Sequence, residues 1–211
     1  SSLRGLPKRQ EVSIEKESTT ALRASLAQEL EKEENRAYLA LTDLLLKQFR
    51  VLKPSDDLKA LFLRVMSEQV AAYYDPEKKR VAYVEATGGA KTNLAPLAGM
   101  ERFVYVHEFC HALEDGYFDL NGLAKASQGS LDGSLALTSF TEGNAVLAGV
   151  DGALDDAGVP FNTSTPFLAG LVSLFGHMDM KDAAKELSGY PPFLVGALLR
   201  PYLDGAAFSN R

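Results

Sequence analysis

The chain has 211 residues, of which 46% are hydrophobic, and a formal net charge of -6. That size and apolar content suit a single domain able to bury a sizeable core. The acidic balance gives no basic footprint for nucleic acid or an anionic membrane. No apolar run approaches the roughly 18–20 residues that span a bilayer, and the lone cysteine excludes an internal disulfide.

No secretory signal is visible, and a start at Ser1 without methionine reads as a processed or trimmed form. Glu11–Glu15 alternates polar and apolar residues, as a short strand does. Ser18 or Thr19 can cap the helical region that follows from Ala21 to about Arg50, where Leu22, Leu26, Leu30, Tyr38, Leu41 and Leu45 recur at helical spacing. The charged run Glu31–Arg36 is expected to be a solvated face or a break between two helices. Ser55, Asp56 and Asp57 open a further helix whose apolar face is Leu58, Leu61, Phe62, Val65 and Met66. Val70–Tyr74 and Arg80–Glu85 flank an Asp75-Pro76 turn and predict a β-hairpin. A loop over Ala90–Pro96 precedes a helix expected from Leu97 to Leu113 and stopped by Gly116. A long helix from Leu131 to about Leu154 and two helical segments, Phe167–Phe175 and Pro192–Leu199, complete the reading. The fold class is therefore α+β, mostly helical, with a small twisted sheet.

The chemistry concentrates in His107-Glu108-Phe109-Cys110-His111. Two histidines four apart on a helix put both rings on one face, where they can converge on a single zinc ion. Glu108, one residue after the first histidine, stands where a general base for the attacking water belongs. A five-residue match also arises by chance on a polar helix face. Here, however, two of only three histidines fall in it, and Phe103, Val104, Val106, Phe109 and Ala112 make the surrounding helix apolar.

A catalytic zinc usually takes three protein ligands. One zincin class supplies the third from a glycine and a histidine just downstream, but those positions are Glu114 and Tyr117, which excludes it. The best donor is Glu142, a carboxylate inside an apolar helix, where an unpartnered charge is costly. His177, Asp119 and Asp151 are its rivals. Asp115, or less directly Asp132, can accept the free ring N–H of His111. Cys110 reads as a small core residue, and His177 as a core or surface histidine or an electrophile lining a cleft.

With these residues in hand, the chain resembles a family of bacterial zincins related to the minimal gluzincins. The resemblance rests on Arg4-Gly-Leu-Pro7, Tyr74-Asp-Pro76 with its following strand, and His107–Leu120. Thr141-Glu-Gly-Asn-Ala145 and Pro201-Tyr-Leu-Asp-Gly-Ala-Ala-Phe208 extend it over most of the chain. It implies a single zincin-like domain over residues 1–211. Residues 1–68 would form an N-terminal strand and helices, 69–156 the hairpin and both ligand helices, and 157–211 a helical end, expected to be truncated. It also implies one zinc per chain on His107, His111 and Glu142, Glu108 as catalytic base, and export to the bacterial envelope or beyond. Glu114, Gly116, Tyr117 and Asn144 depart from the family pattern, which usually has Gln, another polar residue, often His, and Asp there.

The function implied is metalloendopeptidase action on a peptide or protein substrate. An extended peptide is expected to add to the edge of the Arg80–Glu85 strand. Tyr202, His177 and Tyr190 are candidate donors to the developing oxyanion, Tyr202 first because it lies in the family-like block. The alternatives are a zinc-stabilised binding or scaffold domain without turnover, and a latent peptidase whose cleft is covered.

Overall fold

The computed structural model describes residues 7–85, 100–127, 129–156, 158 and 189–209. Strand β1 (Ser13–Ser18) leads into helices α1 (Thr19–Glu31), α2 (Glu33–Gln48) and α3 (Leu58–Gln69). Strands β2 (Ala72–Asp75) and β3 (Arg80–Glu85) follow, then helices α4 (Met100–Phe118), α5 (Leu120–Ser127), α6 (Leu131–Asp156) and α7 (Pro192–Ser209). The described chain is thus mostly helical with one small mixed sheet, an α+β arrangement. Among the described residues no helix is long and apolar enough to cross a membrane.

Local chemistry sets the element ends. The Ser18 hydroxyl accepts the Ala21 amide and caps α1, while the Asp57 carboxylate accepts the Ala60 amide and caps α3. Lys32, extended at φ -56° and ψ 139°, breaks the first helical region within the charged run. Asp75 accepts the amides of Glu77 and Lys78, and Lys79 takes φ 51°, so the hairpin turns where the Asp-Pro pair predicts.

The sheet order is β1-β3-β2. β1 pairs in parallel with β3 from Ser13 opposite Arg80 to Ser18 opposite Glu85, and β2 pairs antiparallel, Ala72 opposite Tyr83 and Asp75 opposite Arg80. This corrects one expectation: β3 is the central strand, bonded on both sides, so a peptide cannot add to its edge. The outer edges belong to β1 and β2. Val81 and Ala82, both 0% exposed, anchor the sheet, and Tyr74 and Val81 pack on Ala112 of α4.

Helix α4 does not stop at Gly116. It runs to Phe118 and breaks at Asp119, which takes φ 49° and caps α5 by accepting the Gly122 amide. Gly116 lies inside the helix, where a β-carbon would meet the Arg9 side chain at 3.4 Å, an ordinary contact. Likewise α7 passes the expected end at Leu199 and continues through Pro201 to Ser209. Pro201 lacks an amide donor, but it is buried, and packing holds the helix together there. The expected Phe167–Phe175 helix lies outside the described residues.

Helices α4 and α6 pack through small residues. Ala145, Ala148, Gly149 and Gly152 recur at helical spacing on α6, and Val106 and Cys110 of α4 pack on Ala145 and Ala148. A β-carbon at Gly149 would lie 2.8 Å from the Phe103 ring, and one at Gly152 would lie 2.6 Å from Val106. Cys110 is 3% exposed, the core residue expected. On the other face of α6, Gly143 meets Gly205 of α7 so closely that neither position has room for a side chain. Glycine spacing therefore brings both α4 and α7 against the helix that carries Glu142.

Candidate metal centre

Two turns of α4 and one of α6 build the site. His107 and His111 stand one turn apart with ring centroids 4.8 Å apart and planes at 85°. Their Nε2 atoms are 3.2 Å from each other. Glu142 Oε2 lies 3.1 Å from His107 Nε2 and 3.4 Å from His111 Nε2. These three residues form a group that can hold a metal ion, and among the described residues no other cluster of three does.

The spacing tests the fit. Donors bound at about 2.0–2.1 Å around a tetrahedral ion stand about 3.3–3.4 Å apart. The triangle of 3.1, 3.2 and 3.4 Å matches that figure on all three edges. The electrostatics agree. Burial works against charging His111, but Glu114 and Glu142 outweigh it and push its pKa up to about 10. Burial would also raise the Glu142 carboxyl, yet the contacts with His107 and His111 hold it down at about 2.

Glu108 is 7% exposed and lies beside the backbone amide of Tyr74. Burial raises its pKa first of all and the Glu142 charge adds to this, against the opposing pull of both imidazoles and that amide. β2 lies against the helix that carries Glu108, since Tyr74 packs on Ala112 of α4. The His107 ring, 6% exposed, lies against Phe103 and Tyr202, each with its centroid 5.9 Å away. Desolvation of the Tyr202 hydroxyl, with the Glu142 and Glu108 charges, pushes its pKa well up. Tyr202 sits one turn before Gly205, so the Gly143–Gly205 contact is what carries it to the site.

Several sequence expectations resolve differently. Asp115 does not face His111. Its Oδ2 accepts Tyr74 Oη at 2.7 Å, Lys79 Nζ at 2.5 Å and Gln10 Nε2 at 3.3 Å, and its Oδ1 accepts the Leu120 amide at 3.0 Å. The carboxylate nearest the free side of His111 is Glu114, with Oε2 3.9 Å from Nδ1. Asp132 is exposed in the first turn of α6, ten residues and so about 15 Å along the helix from Glu142. Asp119 caps α5, and Asp151 is exposed nine residues past Glu142, which removes both as third donors. Tyr190 donates to Glu68 and carries the Arg64 guanidinium 4.7 Å from its ring centroid, in the cluster with Val65 and Leu194. It is a packing residue, not an oxyanion donor. His177 lies outside the described residues.

Two residues that sequence reasoning left without a role meet here: Asn144 Nδ2 donates to Glu114 Oε1 at 2.9 Å. Nothing local in the sequence pairs these residues, which stand 30 positions apart, and only the structure joins them. Compared with protein-family models, curated proteins and solved structures, the chain matches none of them.

Proposed function

We propose that this chain is a zinc-dependent peptidase of zincin-like build, with His107, His111 and Glu142 as ligands and Glu108 as general base. The observation that carries the reading is the donor triangle beside a buried glutamate: three candidate donors among the described residues, the number a catalytic zinc usually takes. A structural zinc usually takes four.

The ion, when bound, supplies a Lewis acid and acidifies neighbouring water. Glu108 accepts the proton of the attacking water and returns it to the leaving amine nitrogen. Phe103 and Tyr202 flank the His107 ring and shield it from water. Tyr202 is our choice of hydrogen-bond donor to the developing oxyanion, since its ring stacks against His107 with centroids 5.9 Å apart. Substrate lies along the outer edge of β2 rather than on β3, whose two sides are taken.

The experiment is cleavage of a broad peptide library by zinc-loaded protein, beside Glu108→Gln carrying the same metal. Turnover by wild type, reduced roughly 10²–10⁴-fold in the variant, supports the reading. Equal behaviour of the two forms, with no member cleaved, favours a zinc-stabilised binding domain instead.

A further inference from the structure

A histidine that binds a metal through Nε2 carries its proton on Nδ1, and the group accepting that proton sets the ring's orientation and basicity. Asp115 cannot be that group for His111, because both its oxygens are engaged by Tyr74, Lys79, Gln10 and the Leu120 amide. Glu114 is 7% exposed, and its Oε2 has no hydrogen-bond partner among the described residues while standing 3.9 Å from His111 Nδ1. Its other oxygen, Oε1, is held by Asn144 Nδ2 at 2.9 Å. A buried carboxylate oxygen left unpartnered is costly, so this one has a strong demand for the proton that His111 offers.

We infer that Glu114 is the positioning residue for His111 and that Asn144 is the clamp that holds Glu114. This rests on the metal-site reading above and extends it. Asn144 stands two residues beyond Glu142 on α6, and Glu114 one turn beyond His111 on α4. The Asn144–Glu114 bond therefore ties together the two helices that supply the ligands. It fixes their relative rotation and, with it, the approach of Glu142 to both imidazoles. The charges also fit: an amide can clamp the carboxylate where a second carboxylate would repel it.

The test is zinc affinity by chelator competition on wild type, Glu114→Ala, Asn144→Asp and the double exchange Glu114→Gln/Asn144→Asp. Cobalt-loaded absorption spectra and melting of the ion-free proteins accompany it. Glu114→Ala is expected to lose 10–100-fold in affinity. Asn144→Asp, which sets two carboxylates against each other, should weaken zinc at least tenfold and alter the cobalt spectrum. The double exchange rebuilds the bond with donor and acceptor reversed, and leaves an amide oxygen for His111. It should return to within a few-fold of wild type, a rescue that independent sites would not show. Unchanged affinity in both single variants, or a double exchange no tighter than Asn144→Asp, overturns the inference. So does an affinity loss that merely follows the ion-free melting temperature across the set. Wild type that binds no zinc removes the metal-site reading itself, and this inference with it; zinc-binding wild type with indifferent variants removes only the inference.

Discussion

Gly143 and Gly205 meet backbone to backbone where α6 and α7 cross, one residue from Glu142. A β-carbon at position 143 would fall on the backbone of Gly205 and Ala206, which no side-chain rotation can relieve. Gly143→Ala is therefore expected to destabilise the fold by about 3 kcal/mol, at the upper end of overpacking costs. It should also weaken metal binding, because Tyr202 and the Glu142 turn shift with α7. Gly196, with nothing within 4 Å of a built β-carbon, is the comparison on α7, the helix of Gly205. Gly196→Ala should stabilise by about 0.5–1 kcal/mol, since alanine restricts the unfolded chain and suits a helix interior. Thermal unfolding of the two variants checks both signs.

Asp115 ties the N-terminal segment, the hairpin and α4 together through Gln10, Tyr74 and Lys79. Burial favours its neutral form, but Lys79, Tyr74, Gln10 and the Leu120 amide outweigh this and hold the carboxyl below its usual range. The native state thus holds that proton less tightly than the unfolded chain. Its stabilising contribution is complete above the unfolded value of about 4 and is lost as pH falls through the lower native value. Asp115→Asn should cost about 3 kcal/mol at pH 7, as loss of a buried charge partner does. The gap to wild type should close below pH 4. Denaturant unfolding from pH 7 to 3 measures it, and a gap independent of pH would contradict the assignment.

Tyr202→Phe removes one hydroxyl and leaves the ring against His107. If that hydroxyl serves the oxyanion, kcat on a cleaved peptide falls about 10²-fold while KM and zinc content stay near wild type. Unchanged kcat would return Tyr202 to the status of a packing residue.

The sequence made the two histidines and Glu142 legible for different reasons. Four-residue spacing on a helix is local geometry, and a carboxylate inside an apolar helix is a local anomaly that demands a partner. The choice between Glu114 and Asp115 was not legible. Both follow His111 by about one turn, at i+3 and i+4, and only distant residues decide which faces it. Gln10 and Lys79 claim Asp115 from 105 and 36 positions away, and Asn144 claims Glu114 from 30. The position of β3 was hidden for the same reason. Its hairpin with β2 is local, but its parallel pairing with β1 reaches back across three helices. Gly116 and Asp119 show a smaller failure: the helix runs on through the glycine, and an aspartate supplied the positive φ that ends α4.

The most direct measurement is metal content by mass spectrometry on wild type and Glu142→Ala, purified side by side and after zinc reconstitution. The donor triangle predicts about one zinc per chain in wild type and a sharp loss in the variant. Equal zinc in both forms, or none in reconstituted wild type, would contradict the site.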